Sequence, residues 1–150
     1  MRLTLFLDHQ CNLDCTYCYN GKKFSKPMTL EVARKAIDAI LETGKQLDQI
    51  GFFGGEPMLH TDLMAAAMDY AREKCAKAER QPIMVVTTNG SLLTEPNIEF
   101  LLKRDFHLGV SIDGSREAHD ACRRFRGGSS SYVTIVAGIK RAAEAGLPIK

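Results

Sequence analysis

The amino-acid sequence predicts an α/β protein built around a parallel sheet. Short apolar runs with β-branched and aromatic residues, typical of buried strands, recur along the chain. Each is followed by a longer stretch whose apolar residues repeat at helical spacing, and this pair of patterns occurs four times. Strands that alternate with helices usually pair in parallel through right-handed crossovers. The pattern alone leaves open whether the sheet is doubly wound or curls as part of a barrel.

The first two strand–helix units are clearly delimited. Residues 3–7 form an apolar run, and Thr29 is placed to cap a helix whose apolar positions continue to the neighbourhood of Gly44. Residues 50–53 predict the second strand, and Thr61 is a candidate cap for the second helix. Glycine, proline and charged residues dominate the segments between them, which is typical of loops.

The third unit and the fourth strand follow the same plan. Residues 83–86 predict the third strand, and Thr94 followed by Pro96 marks the start of a third helix, because proline suits the first helical turn. Residues 108–112 predict the fourth strand. A polar stretch, residues 115–131, is expected to separate it from the next helix.

The last part of the chain predicts a fourth helix over residues 132–145, with Gly146 as its C-cap. Residues 147–150 resemble the entry to a fifth strand. No linker or repeat interrupts the series, so the sequence predicts a single domain over residues 1–150.

Composition excludes several classes of function. The hydrophobic share of 45% and charged share of 25% are those of an ordinary globular protein. A net charge of +2 is too small to indicate binding to nucleic acid or an anionic membrane. No apolar run reaches the roughly 20 residues of a membrane span, and the N-terminus has no pattern of a signal peptide. We therefore expect a cytoplasmic protein whose thiols stay reduced.

Three of the five cysteines, Cys11, Cys15 and Cys18, lie together at C-X3-C-X2-C spacing. One loop can aim three such thiolates at one point, and soft thiolates select iron–sulfur clusters, zinc or copper(I). Structural zinc and fully protein-ligated cubanes both use four ligands. Three cysteines therefore suggest a cluster with one iron left open. The remaining Cys75 and Cys122 are expected to be ordinary thiols.

Two alternatives for these cysteines remain open. A structural zinc module is possible if His9 or His60 supplies the fourth ligand. A non-catalytic electron-transfer fragment would use the same cysteines for a cluster without any reaction at the open iron.

Other unusual motifs also fall directly after predicted strands. In parallel α/β architectures these loops share one rim of the sheet, and binding sites form there. Gly54 and Gly55 would let backbone approach a ligand closely, and Glu56 could accept hydrogen bonds from an ammonium group. The motifs are Cys11–Cys18, Gly54-Gly55-Glu56-Pro57, Thr88-Asn89-Gly90 and Ser111-Ile112-Asp113-Gly114.

With these motifs in order, and with Tyr17 before the last cysteine, the sequence resembles the N-terminal part of radical S-adenosylmethionine (SAM) enzymes. It is most similar to peptide- and protein-modifying maturases of the SPASM type, which include the anaerobic sulfatase-maturating enzymes. His119-Asp120 and Arg123, after the fourth strand, belong to the same likeness. The resemblance implies the N-terminal portion of a partial (β/α)6 TIM-like barrel, truncated after about four units.

The resemblance also implies cofactors and partners. Cys11, Cys15 and Cys18 would hold a [4Fe–4S] cluster whose fourth iron is chelated by SAM. Reductive cleavage would give a 5′-deoxyadenosyl radical that abstracts hydrogen from a peptide or protein. The electron would come from an external donor of the flavodoxin or ferredoxin type. No residue of this portion is assigned to act on the substrate.

The resemblance further assigns residues to the parts of SAM. Tyr17 would lie near the adenine, and the stretch from Gly54 to Glu56 would receive the methionine ammonium. Ser111 and Asn89 would contact the ribose or methionine end. An arginine among Arg123, Arg124 and Arg126 would pair with the carboxylate, and Arg123 is the one chosen.

The likeness covers the cofactor half of such an enzyme and little of its substrate half. We therefore expect a chain that binds a cluster but turns over weakly or not at all alone. Open edges of the parallel sheet would favour association with a complementary fragment or a second copy.

Overall fold

A computed structural model describes residues 1–149, which contain four parallel strands in one sheet. In chain order they are β1 (Arg2–Phe6), β2 (Gln49–Phe53), β3 (Ile83–Thr88) and β4 (Phe106–Val110). The spatial order is also β1-β2-β3-β4. Right-handed crossovers that always step in one direction place the helices on one face, as in a (β/α) barrel, whereas a doubly wound sheet reverses direction. The order therefore confirms the barrel-type α/β architecture.

Within residues 1–149, five α-helices and a short 3-10 helix accompany the strands. They are α1 (Leu30–Leu41), the 3-10 helix (Pro57–Leu59), α2 (Thr61–Lys74), α3 (Glu95–Lys103), α4 (Arg116–Cys122) and α5 (Tyr132–Glu144). Helix α4 lies within the stretch expected to be polar loop. Its start is capped by Ser115, whose side chain accepts from the backbone N–H of Ala118 at 3.4 Å. This segment shows no apolar periodicity, because the one fully buried side chain of α4 is His119.

Several predicted boundaries are wrong. Strand β1 begins and ends one residue earlier than expected, and β3 continues two residues further, to Thr88. The fourth strand begins and ends two residues earlier than expected, because Phe106 is fully buried opposite Met84 and pairing ends at Val110. Thr61 is the first residue of α2 rather than its cap, a position taken by His60. The cap at Thr29 is confirmed, since its side chain accepts from the N–H of Val32 at 3.3 Å.

The hydrophobic core lies between the helices and one face of the sheet. Alternate strand residues such as Leu5, Phe52, Val86 and Leu108 are almost completely buried there. On the opposite face, Thr4, Gly51, Val85 and His107 are more open. That exposed face corresponds to the inner wall of a barrel.

The end of the described chain starts a further parallel pairing. Leu108 donates its N–H to the carbonyl of Pro148 at 2.9 Å, and Ile149 lies beside Leu108 in parallel register. The predicted entry to a fifth strand is confirmed to residue 149, and Lys150 lies outside the described residues. Within residues 1–149, no helix is long and apolar enough to cross a membrane.

Candidate functional site

The carboxyl ends of the strands surround a cavity of about 200 Å³. Every site residue predicted from the sequence except Glu56 lines it: Cys11, Cys15, Tyr17, Cys18, Gly54, Gly55, Asn89, Ser111 and Arg123. Leu13, Tyr19, Phe53, Thr87 and Thr88 complete the wall. The rim that the sequence predicted is therefore one continuous site.

The three cysteines differ in their surroundings. Cys11 is nearly buried, and its Sγ accepts from the N–H of Leu13 at 3.4 Å, whereas Cys15 and Cys18 are partly exposed. Burial raises the pKa of the Cys11 and Cys15 thiols, and the other two thiols add to the rise at Cys15. In the part of the chain that the structure describes, no group of three or more His, Cys, Asp or Glu side chains is arranged to hold a single metal ion. In a [4Fe–4S] cubane, by contrast, each cysteine thiolate binds a different iron atom, so the three thiols need not converge on one point.

The cysteine loop is held by the end of α4 and the segment that follows it. Asp14 and Thr16 donate backbone N–H groups to the carbonyls of Arg124 (2.8 Å) and Cys122 (3.0 Å). Leu13, which is fully buried, forms an antiparallel bridge with Phe125. This pairing explains how residues more than 100 positions apart in the chain meet at one cavity. Cys122 contributes its backbone and does not line the cavity.

Gly54 and Gly55 are required for a different reason from the one expected. A Cβ on Gly55 would lie 2.0 Å from the carbonyl oxygen of Gln10, and one on Gly54 would lie 2.7 Å from that of Asp8. Gly55 also donates its N–H to the carbonyl of Asp8 at 2.7 Å. Both glycines line the cavity, but the close approach they permit is to the chain just before Cys11.

Glu56 is the one predicted cofactor-binding residue that is turned away from the cavity. Its buried carboxylate accepts hydrogen bonds from Thr88 Oγ1 (2.6 Å) and from the N–H groups of Asn89 (2.8 Å) and Met58 (3.0 Å). Burial raises the pKa of Glu56, and these donors oppose the rise. Glu56 does not line the cavity, and its contact with an ammonium group stays a prediction. Glu56 instead fixes the turn that carries Asn89.

Asn89 links the third strand to the cysteine loop. Its amide nitrogen donates to Asn12 Oδ1 at 2.9 Å and lies 3.7 Å from Cys11 Sγ. Its amide oxygen accepts from the N–H and the hydroxyl of Ser91. Asn89 thus touches a metal-ligand candidate directly while lining the cavity.

Two further lining residues, Tyr17 and Arg123, form a cluster with Asp113. The Tyr17 hydroxyl donates to Asp113 Oδ2, and the Arg123 guanidinium lies 5.2 Å above the Tyr17 ring. Asp113 Oδ1 lies 3.0 Å from Arg123 Nε. Desolvation and the Asp113 hydrogen bond raise the pKa of Tyr17 to about 12, so the hydroxyl stays protonated. The backbone of Ser111 is tied to β3, because its N–H donates to the carbonyl of Thr88 at 3.0 Å.

Two residues near the cysteines were not recognised from the sequence. Lys23 belongs to a basic loop that the sequence predicts to be solvent-exposed, yet its Nζ lies 2.6 Å from Cys18 Sγ. Asp8, which ends the first apolar run, is buried and accepts the N–H of Lys26 at 2.7 Å. Burial opposes ionisation of Asp8, but the backbone donors outweigh it and lower its pKa. Only their positions in the sequence, close to the cysteines, could have suggested that Lys23 and Asp8 lie near the site.

The histidines considered for a zinc site are engaged elsewhere. His9 Nδ1 lies 2.6 Å from Asn20 Oδ1, and its ring stacks on Phe24. His60 Nε2 lies 3.0 Å from Asp8 Oδ2. Neither lines the cavity that contains the three thiols.

Comparison with known proteins identifies the family. The pattern of the Radical SAM superfamily matches residues 8–150. The chain belongs to this superfamily. Radical SAM proteins use a [4Fe–4S] cluster and SAM, and three thiols without a fourth protein ligand on the cavity fit that cluster.

Individual relatives differ in their described activities. The chain is 32% identical to the Fe-coproporphyrin III synthase of Methanosarcina barkeri over 147 residues, covering 95% of this chain and 34% of the relative. It is also 32% identical to the serine-type anaerobic sulfatase-maturating enzyme of Bacteroides thetaiotaomicron over 143 residues, covering 86% of this chain and 33% of the relative. The chain thus spans about a third of the length of these curated radical SAM relatives.

Solved structures place the fold in the same group. The structure of native anSMEcpe with bound AdoMet matches with a TM-score of 0.86 and 25% identity, covering 99% of this chain and 42% of that one. The same protein with bound AdoMet and Kp18Cys peptide matches with a TM-score of 0.83. The described chain therefore has the fold of part of a radical SAM core.

Proposed function

We propose that this chain is the cofactor-binding portion of a radical SAM enzyme that modifies a peptide or protein side chain. One observation carries the proposal: Cys11, Cys15 and Cys18 face one cavity together with glycine backbone, Tyr17 and Arg123. Three thiolates leave one iron of a cubane for a ligand of another kind. When bound and reduced, the cluster supplies the electron that cleaves SAM to methionine and a 5′-deoxyadenosyl radical.

The chain's own residues then bind and orient SAM. We assign the carboxylate to Arg123, since a guanidinium pairs with a carboxylate through two parallel hydrogen bonds. Tyr17 offers an aromatic face near the adenine, and the backbone of Gly54 and Gly55 receives the ammonium. Ser111, on the fourth strand-end loop, contacts the ribose or methionine end.

Asn89 and Glu56 take positioning roles in this proposal. Asn89 holds the cysteine loop through Asn12, and it also faces the region assigned to SAM. Glu56 supports Asn89 through the backbone of the same turn. The ammonium site therefore does not need the Glu56 carboxylate.

The proposed substrate class is supported by the sulfatase-maturating relative and by the peptide-bound structure. The competing candidate is a tetrapyrrole, because the chain is equally identical to an Fe-coproporphyrin III synthase. Incubation of the reconstituted protein with a cysteine- or serine-containing peptide library and, separately, with a tetrapyrrole precursor of Fe-coproporphyrin III distinguishes them. Because turnover by this chain alone is expected to be weak, the readout is substrate hydrogen in 5′-deoxyadenosine above the background without substrate. We expect this signal in the peptide arm, and a signal only in the tetrapyrrole arm contradicts the peptide assignment.

We also propose an external electron donor of the flavodoxin or ferredoxin type, as the resemblance to radical SAM maturases implies. Turnover by residues 1–150 alone is expected to be weak or absent. The edge strand β1, and the part of β4 that is not already paired with Pro148 and Ile149, offer sites for association with a complementary fragment or with a second copy. SAM cleavage by the purified chain at the rate of a complete enzyme would contradict this part of the proposal.

The cluster is tested by anaerobic reconstitution followed by analysis of iron, sulfide and zinc. We expect about four iron and four sulfide per chain, and loss of both when Cys11, Cys15 or Cys18 is replaced by serine. Cys122→Ser is the matched control, because Cys122 lies nearby in space but outside the cavity. Zinc without sulfide would support a structural module instead. A cluster that does not respond to SAM would support a non-catalytic electron-transfer fragment.

A further inference from the structure

The residues Asp113, His119 and Asp120 belong to the motif shared with the maturases, yet the proposed function gives them no task. In the structure they come together around Arg123. We propose that Asp113 and His119 are positioning residues that hold Arg123 in the orientation required to bind the SAM carboxylate. The inference rests on the proposed function and deepens it, because it concerns how the same site is built.

Asp113 holds one edge of the guanidinium. Its Oδ1 lies 3.0 Å from Arg123 Nε, and that nitrogen is buried although 16% of the side chain remains exposed. The N–H is not aimed along the line to this oxygen, so the contact is an ion pair rather than a linear hydrogen bond. A guanidinium has a second edge formed by its Nη groups. Among the described residues no protein acceptor is paired with that edge, which leaves it available to a ligand carboxylate.

Tyr17 limits the remaining freedom of the guanidinium. The Arg123 Cζ atom lies 5.2 Å above the centre of the Tyr17 ring, within the range of a cation–π contact. The Tyr17 hydroxyl donates to Asp113 Oδ2, the carboxylate oxygen that does not meet Arg123 Nε. One carboxylate therefore fixes both the edge of the arginine and the ring beneath it.

His119 fixes the backbone of Arg123 from the other side. The imidazole is fully buried, and its Nδ1 lies 3.4 Å from the backbone N–H of Asp113, which can only donate. Nε2 must then carry the proton and donate to Ser131 Oγ at 2.9 Å. Ser131 donates in turn to the carbonyl of Arg123 at 2.6 Å. A neutral His119 thus connects the backbone of Asp113 with that of Arg123.

Asp120 supports this chain of hydrogen bonds. Its Oδ1 accepts from the N–H groups of Ser131 and Tyr132, both at 3.3 Å, at the start of α5. Ser131 is thereby held where it can link His119 to Arg123. The motif residues are distributed so that Asp113 orients the arginine side chain while His119 and Asp120 orient its main chain.

The test compares two ligands on the anaerobically reconstituted protein. Affinities for SAM and for decarboxylated SAM, which lacks the carboxylate, are measured for the wild type and for Asp113→Asn. We expect Asp113→Asn to weaken SAM binding by about tenfold, the effect of misaligning one charge-assisted contact. Binding of decarboxylated SAM should change much less. Asp113→Glu, which keeps the charge, should restore part of the preference for SAM.

Asp69→Asn is the matched control, because Asp69 forms a comparable ion pair with Arg104 (2.7 Å) outside the cavity. It should leave both affinities unchanged. The inference would be overturned if Asp113→Asn weakened the binding of SAM and of decarboxylated SAM equally, or weakened neither. Loss of the cluster from both Asp113 variants would also overturn it. Failure of the wild type to bind SAM would instead overturn the proposed function and the inference with it.

Discussion

The cavity has an inner wall that includes Gly55 and Asn89, with Glu56 supporting Asn89 from behind, and an outer edge formed by Tyr17 and Arg123. The wall is fixed by backbone contacts and buried hydrogen bonds to the cysteine loop. The edge is held by side-chain contacts at the protein surface, where the Tyr17 side chain is half exposed. The wall therefore sets the positions of the three thiolates, and the edge determines how well the cavity binds SAM. Changes in the wall should abolish cluster binding, whereas changes in the edge should weaken SAM binding.

The largest effect is expected for Gly55→Ala in the wall. The added Cβ would meet the Gln10 carbonyl at 2.0 Å, and neither backbone can move without shifting the cysteine loop. We expect loss of most iron and sulfide after reconstitution. Gly127→Ala is the matched control, because nothing lies within 4 Å of its Cβ position. A Gly55→Ala protein with a full cluster would contradict the account of the wall.

Glu56→Ala should have the next largest effect. It leaves three donors on Thr88, Asn89 and Met58 without their buried acceptor, each costing about 1–3 kcal/mol. Chemical unfolding should show a loss on the order of 3 kcal/mol, and the cluster content should fall. Glu99→Ala, which removes only an exposed pair with Lys103, should leave both quantities nearly unchanged. A stable Glu56→Ala protein that fails only to bind SAM would support direct contact with the ammonium group instead.

His119 predicts a pH dependence of stability. Burial and the nearby Arg123 lower its pKa below 6.5, while Asp113 and Asp120 oppose the shift and the Tyr132 ring packs against it. Protonation of His119 therefore favours the unfolded chain. The contribution of neutral His119 to the free energy of unfolding is complete above about pH 6.5. It is lost progressively as the pH falls toward the lowered pKa of the folded state. The free energy of unfolding should decrease over this range in the wild type, and the decrease should be smaller in His119→Asn.

The smallest effect is expected for Tyr17→Phe at the edge. The change removes the hydroxyl that binds Asp113 but keeps the ring beneath Arg123. One hydrogen bond at an exposed site contributes about 1 kcal/mol or less, so SAM affinity should fall about threefold with cluster content unchanged. Tyr19→Phe is the control, since Tyr19 also lines the cavity and is more exposed. Loss of the cluster in Tyr17→Phe would show that the edge also holds the cysteine loop.

Much of the fold and the site was predictable because each motif directly follows a strand. Parallel strands bring Cys11, Gly54, Asn89 and Ser111 to the same rim whatever the exact strand boundaries. Arg123 could be assigned only by resemblance, because its place depends on antiparallel pairing between its segment and the cysteine loop. No periodicity in the sequence reports such a long-range contact.

Other features could not be predicted because they depend on which way a side chain turns. Glu56 follows two glycines at the rim, and its position does not reveal that the carboxylate points inward. Helix α4 is too short and polar to show helical spacing, although it orients His119. Lys23 belongs to a basic loop, and only the structure shows its contact with Cys18.

The most direct test of the central claim is the EPR spectrum of the reduced, reconstituted protein with and without SAM. The claim is that three cysteines hold a cluster whose remaining iron is open to SAM. We expect a [4Fe–4S]⁺ signal that changes shape when SAM is added, and no such signal in Cys11→Ser. A cluster signal that SAM leaves unchanged would contradict the claim.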